Sequence, residues 1–430
     1  MMKYIFLVLC YISLIDKLNA QLSTGPVIGH STDSSVIVWY QYYYNLKDSI
    51  FLIPKSGSAK LKPDTIERWK TRKIITIKAY FNKLKPGENY FISFPYITFK
   101  KYKLFRPDYI KKDFSFLLGS CILTLPMPAK TVYPGRRIEI FNSMKRDFSN
   151  DFMLWTGDYV YYLKFHLKSK NGMFNRMNNQ RAMFPEINDF QRSIINYAMW
   201  DDHDYGPNNS EGNFKLKAKS RQVFEMQWPN PKRERESRDS GIYFKFDYKD
   251  INVFMMDCRY NKLSIDTPKH LWGKEQMSWL KRNLLVAKGS FKFISNGGQI
   301  LTKSRVNSPE SFYYFKEEYD ELMQFIKVEK IEGVIFLSGD IHSSEILKVD
   351  QGNGYPLYEY TCSALTSVMY AGINNKEVIP GYREAKTNNY GKISIKTENG
   401  NRLCILSNFD TWGNLNWEYK IKAKDLTFKK

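Results

Sequence analysis

The sequence has 430 residues, with 65 Lys and Arg against 44 Asp and Glu and a formal net charge of +21. Charged residues make up 25% and hydrophobic ones 43%, which excludes a wholly disordered or fibrous chain. The length predicts two domains, and the dispersed basic excess points to an anionic partner or surface without choosing among nucleic acid, membrane and substrate.

In chain order, residues 1–20 read first as a secretory signal. Met1-Met2-Lys3 is a positive start, Tyr4 to Ile15 is an apolar run, and Leu18-Asn19-Ala20 ends in a small residue. The run is too short to span a bilayer, which needs about 20 apolar residues. The expected mature protein is soluble and exported, secreted or periplasmic or on the cell surface, with no integral membrane segment. Cys121, Cys258, Cys362 and Cys404 then remain, too widely spaced to read as a disulfide scaffold.

Residues 21–108 are expected to form a β-sandwich. Ser35 to Tyr40, Phe51 to Ile53, Ile74 to Ile77 and the stretch from Tyr90 are short β-branched or aromatic runs between turn signals. Leu84-x-Pro86-Gly87-x-x-Tyr90 has the pattern of a tyrosine corner. From 109 to 430 the texture becomes α/β, with apolar runs at Phe116–Leu118, Phe152–Trp155, Ile251–Met256, Phe291–Ile294 and Val334–Leu337. Gln191 to Met199 looks helical, Glu275 to Ala287 reads as a helix, and another is predicted from Ser308-Pro309 through Phe325. Pro231 to Asp239 is mixed in charge and predicts a solvated loop.

The chemistry gathers after the apolar runs. Cys121 follows the first, Gly157-Asp158 the second, Asp257 the third, Asn296-Gly297-Gly298 the fourth, and Gly339-Asp340-Ile341-His342 the fifth. In α/β sheets ligands bind outside the carboxyl ends of the strands. A sixth cluster, Asp201-Asp202-His203-Asp204 before Gly206-Pro207-Asn208, sets three acids around one histidine, an arrangement costly to bury without cations. Two of the five histidines, His203 and His342, fall in such clusters. Arg259, just after Asp257, fits a phosphate contact and a salt bridge equally well.

Cys121, Gly157-Asp158-Tyr159-Val160-Tyr161, Asp201 to Asp204 with Asn208, and Gly339 to His342 together resemble the PhoD-like alkaline phosphatase/phosphodiesterase family, a branch of the calcineurin-like metallophosphoesterases. The resemblance covers most of the mature chain. It implies a fibronectin/Ig-like β-sandwich followed by a four-layer αββα metallophosphatase domain. It implies metal ions, iron and calcium foremost, with zinc or manganese as other choices. Cys121, Asp158 and Tyr161 would ligate the iron, and Asp158 would bridge to a second ion. Asp202, Asn208, Asp340 and His342 would be further ligands. The oxygen ligands favour a calcium-like ion there, whereas His342 argues for a transition metal. The implied reaction is hydrolysis of phosphomonoesters, phosphodiesters or both by metal-activated hydroxide, with His203, oriented by Asp204, protonating the leaving alkoxide or stabilising the phosphoryl group. The alternatives are a phospholipase-type phosphodiesterase and an inactive scaffold that holds nucleic acid or another polyanion.

Overall fold

The structure, a computed structural model, describes residues 22–43, 49–71, 73–94, 101–104, 106, 108–124, 137–147, 149–233, 240–265, 268–352, 354–371 and 375–429. The signal reading of residues 1–20 and most of the expected loop at 231–239 lie outside these. Among the described residues no helix is long and apolar enough to cross a membrane.

The chain is mixed α/β, with three sheets and seven described α-helices. The largest sheet has ten strands. Its order is Leu415–Lys422, Asn401–Asp410, Asn389–Glu398, Phe114–Gly119, Asn150–Thr156, Ile195–Met199, Leu22–Ser31, Val36–Tyr43, Ile74–Phe81 and Thr65–Lys70. The second sheet runs Phe244–Tyr248, Ile251–Met255, Phe291–Ser295, Val334–Ser338, Leu357–Thr361, Ser344–Val349 and Val378–Glu384. Phe51–Pro54, Tyr90–Ser93 and Lys101–Leu104 form a small third sheet.

The strands that feed the site are parallel: Phe114–Gly119, Asn150–Thr156 and Ile195–Met199 in the first sheet, Ile251–Met255, Phe291–Ser295 and Val334–Ser338 in the second. Each is buried throughout or nearly so, as parallel strands covered on both faces must be. Side chains alternate between faces. Phe116 meets Phe293 and Phe152 meets Phe246 across the two sheets, at ring separations of 5.4 and 5.6 Å. On the opposite face of the first sheet Trp155 contacts Phe141 and Phe190 of the helices Ile140–Arg146 and Pro185–Ser193. Phe254 of the second sheet contacts Trp279 of the helix Gly273–Val286.

The N-terminal strands are hydrogen-bonded into the first sheet, because Leu22–Ser31 runs parallel to Ile195–Met199 at Ile28 and Ile195. Further contacts tie them to the rest of the chain. Trp39 Nε1 donates to the Met226 carbonyl at 2.8 Å, and the Arg181 guanidinium lies between the rings of Trp39 and Trp228, 4.4 and 4.7 Å from their centres. The tyrosine-corner pattern takes its expected form: buried Tyr90 accepts from the Lys85 backbone N–H at 2.9 Å.

Two predicted helices differ from the structure. The helix entering Gln191–Met199 stops at Ser193, and Ile195–Met199 is a buried strand. The Asn196 side chain donates to the carbonyls of Ile28, Gln191 and Ile194, and so bonds backbone groups left over where helix gives way to strand. A short apolar run does not reveal this by periodicity alone. The helix expected from Ser308 begins only at Lys316. Tertiary contacts hold the stretch before it: Glu310 pairs with Lys262 at 2.6 Å, and Phe312 stacks on Trp272 while its N–H reaches the Gln299 carbonyl.

Candidate metal centre

The two sheets bring their polar strand ends together at one point. Gly339 N–H donates to the Gly297 carbonyl at 2.7 Å, joining two ends of the second sheet. A Cβ on Gly339 would lie 2.4 Å from Ser120 Oγ, so only glycine lets the two sheets approach this closely there. Cys121 Sγ is 3.7 Å from the Asp340 carbonyl and 3.5 Å from Asp158 Oδ2.

The backbone at this junction is strained. Cys121, Asp158, Asp340 and His342 have φ of +59°, +54°, +67° and +54°. Non-glycine residues seldom adopt this left-handed region, and it persists where surrounding structure over-determines it, often at functional sites.

Asp158 is the hub. Its Oδ2 accepts from Tyr161 OH at 3.3 Å and its Oδ1 from the His203 backbone N–H at 3.3 Å. Ligand atoms of Asp158, Asp202 and His203 all lie within 4.8 Å of one another. Tyr161 OH also sits 3.4 Å from His342 Nε2. The Asp202 carboxylate is held from behind by the Asn209 backbone N–H at 2.6 Å.

Three predicted site residues stand differently from the expectation. Asp204 does not orient the His203 ring: its two oxygens accept from the Asp201 and Tyr159 backbone N–H groups, at 2.6 and 3.1 Å. It closes a capping box on the four-residue helix Asp202–Tyr205. The His203 ring is positioned instead against Tyr161, with ring centres 4.1 Å apart. Asn208 is exposed in the following turn, and it is Asn209 that reaches Asp202. Arg259 is 2% exposed, paired with Asp201 and Glu310 and 3.8 Å from Asp202, which resolves its two readings in favour of the salt bridge.

Two of the polar strand ends are structural. Asp257 accepts from Trp200 Nε1 and from the backbone N–H groups of Ile242, Arg259 and Tyr260. Asn296 accepts from Trp272 Nε1 and donates to the Gly298 carbonyl. Ser120 is buried and donates to the Cys362 carbonyl at 3.1 Å, so its hydroxyl is not presented as a nucleophile. Among the described residues, Cys121, Cys258, Cys362 and Cys404 are buried free thiols. Sequence reasoning did not find Arg305, 3.8 Å from Asp340 Oδ2, or Tyr370, stacked on His342 at 5.0 Å. Neither lies in a motif; both come to the site from loops.

The electrostatics show what the cluster lacks. Burial, with Asp202, Asp201, Asp204 and Asp340 adding repulsion, pushes the Asp158 carboxyl well above the usual carboxylate range. Burial first and then Asp201 and Glu310 raise Asp340 to about 8. Burial also raises the Cys121 thiol and the Tyr161 phenol well above their ordinary values and lowers His342 to about 4. A bound cation inverts the preference of the two carboxyls, the thiol and the phenol, and favours the same neutral imidazole that burial already imposes on His342. The residues present fit cations: carboxylates and a phenol with one thiol, an imidazole aimed inward, and a buried His342 Nδ1 with no hydrogen-bond partner.

A family model described as PhoD-like phosphatase matches residues 130–409, which include every candidate ligand except Cys121. The chain belongs to the PhoD-like phosphatase family. No curated protein matches it. A solved structure titled "Structure of PhoD" is similar with a TM-score of 0.65, covering 94% of this chain and 92% of that one at 15% identity. At that identity the likeness establishes a shared fold. PhoD-like membership makes the chain a phosphoesterase, whose substrate is a phosphate ester.

Proposed function

We propose that this PhoD-like chain is an exported, metal-dependent phosphoesterase that hydrolyses phosphomonoesters, phosphodiesters or both. The observation that carries the reading is the convergence of Asp158, Asp202, His203, Asp340 and His342 with Cys121 and Tyr161 at the joined strand ends, where burial and mutual repulsion push the Asp158 carboxyl well above its usual range. Cys121, Asp158 and Tyr161 would hold one ion, iron by family resemblance. Asp158 would be shared with a second, calcium-like ion, held also by Asp202, Asp340 and His342. Bound there, the ions supply an activated water and a clamp on the phosphoryl oxygens.

The chain's own residues do the remainder. His203, half-open to solvent and backed by the Tyr161 ring, protonates the leaving alkoxide from its imidazole. Asp204 keeps the turn that carries it in place. Arg259 neutralises Asp201 and Glu310 behind the cluster. We also read the facing sheets with their outer helices as the four-layer αββα arrangement, and residues 21–108 as the fibronectin/Ig-like module. Residues 1–20 are read as the export signal.

The test is metal analysis of purified protein, with turnover of an aryl phosphate and an aryl phosphodiester. The expected outcome is bound iron and calcium with hydrolysis of at least one substrate. A metal-free protein that stays inert after reconstitution with both ions would overturn the reading and leave a polyanion-binding scaffold.

A further inference from the structure

Beside the metal centre a cavity of about 190 Å³ is walled by Gln299, Arg305, Ile341, Glu345, Tyr370 and Arg383, with Asn375 at its edge. Its wall shares residues or contacts with the candidate ligands at two points. Ile341 lies between Asp340 and His342, and Tyr370 stacks on His342 with rings 7° from parallel. Through Tyr161, which meets both His203 and His342, a continuous row of rings leads from the proposed general acid to this cavity. Asp158, Asp202 and His203 do not line it. It adjoins the place where a phosphoryl group would sit without being that place.

The charges of the cavity are unequal. Buried Glu345 accepts from Gln299 Nε2 at 2.8 Å and Asn375 Nδ2 at 3.1 Å, and its other oxygen lies 3.5 Å from Arg383 Nε. That carboxylate has Arg383 as its ion-pair partner and is not a candidate ligand. Arg305 has as its ion-pair partner a carboxylate that is one, Asp340. Its Nε and Nη1 are buried without a hydrogen bond, the side chain is 20% exposed, and Asp340 lies 3.8 Å from it. When a cation engages Asp340, Arg305 is left with a full charge and free donors facing the cavity. Arg259 differs in that its Nε and Nη2 hydrogen-bond to Asp201 and Glu310 and only its Nη1 is left without a partner. A buried cation with unsatisfied donors is costly unless something pairs with it, and a planar guanidinium pairs best with a carboxylate or phosphate.

We infer that this cavity is the subsite for the group esterified to the scissile phosphate, and that Arg305 selects substrates whose esterified group carries an anionic oxygen of its own. The inference rests on the phosphoesterase reading. It narrows that reading to doubly anionic esters, in which the second acid is a carboxylate or a further phosphate.

The test compares 4-carboxyphenyl phosphate with its neutral isostere 4-carbamoylphenyl phosphate, on wild-type, Arg305→Gln and Arg305→Lys enzyme loaded with metal. The wild type is expected to favour the carboxylate in kcat/KM by about tenfold over the ratio shown by Arg305→Gln, with Arg305→Lys in between. Binding of 4-carboxyphenylphosphonate and 4-carbamoylphenylphosphonate by calorimetry should show the same ratio without turnover. An unchanged ratio in Arg305→Gln would overturn the inference. So would an equal loss on both substrates accompanied by lower metal content, which would make Arg305 a support for Asp340. Failure of the phosphoesterase reading would look different, as no turnover of either phosphate by any variant; the calorimetric ratio would still report on the cavity. Free phosphate added as a competitor distinguishes the sources of the second anion: a phosphate-selective cavity loses its carboxylate preference as phosphate rises.

Discussion

The two sheets contribute unlike halves to one site. The half built on the ten-stranded sheet is the more closed: Cys121, Asp158, Asp202 and Asp204 are buried with His203 half-open, and Arg259, brought to their back from the other sheet, is locked between carboxylates. The half built on the seven-stranded sheet is open: Asp340 is 20% exposed, Tyr370 is 58% exposed, and Arg305 faces a cavity. Two arginines within reach of the same acid cluster therefore do different work. One balances the fold's own charge; the other has charge left for a ligand. The lesson is that proximity to a site assigns a role only after the partners of each charge have been counted.

The predictions probe that contrast. Asp158→Asn, in the closed half, should abolish turnover and lower metal content together, a loss beyond the 10–100-fold typical of outer-sphere partners; retained activity with full metal would remove Asp158 from the centre. His203→Ala should slow the chemical step by roughly 10²–10⁴-fold while metals stay bound, read from kcat beside elemental analysis, and loss of metal would reassign His203 as a ligand. Arg259→Met should destabilise the fold by about 3–5 kcal/mol, because it strands two buried carboxylates. Denaturant unfolding of the metal-free protein checks this, and a variant that keeps its stability but binds substrate poorly would give Arg259 the ligand role.

The open half gives a pH signature. Asp340 is raised to about 8 without metal, so below that pH a cation must displace its proton. Metal affinity should therefore weaken by about tenfold or more per pH unit as pH falls below 8, and go on rising above 8 while the Cys121 thiol and Tyr161 phenol give up their protons. Calorimetry in buffers of different ionisation enthalpy would detect the released proton, and a flat profile would show Asp340 already ionised. The smallest effect concerns the +21 charge: kcat/KM on anionic esters should fall by several-fold as salt rises to about 0.5 M. An unchanged rate would mean that the basic excess faces away from the entrance.

What the sequence made legible follows from where information is local. Buried strands such as Val334–Ser338 and Phe291–Ser295 stand out as apolar runs, and the polar residues just after them, Asp340 and His342 among them, meet at one point in the fold. The tyrosine corner at Tyr90 is equally local. Roles that depend on distant partners were not legible. Asp204 looks like a partner for its neighbour His203 until the backbone amides of Asp201 and Tyr159 are seen around it. Arg305 carries no motif, and the helix expected at Ser308 yields to contacts made by Glu310 and Phe312 with loops far away in the chain. The strand Ile195–Met199 was hidden because its identity comes from its neighbours on either side.

That strand gives the N-terminal region a task that its lack of catalytic residues conceals. Ile195–Met199 runs directly into Asp201, Asp202 and His203, and its outer neighbour is the first strand of the N-terminal region. A chain trimmed to begin near residue 109 would leave that strand as a bare sheet edge, open to pairing with another molecule, and would remove Trp39 from the face of Arg181. The aggregation such trimming invites would start one turn away from the acids proposed to hold the metals. The leading strands thus act as a splint on the catalytic sheet, and shortening this enzyme from its N-terminus would damage the site from behind.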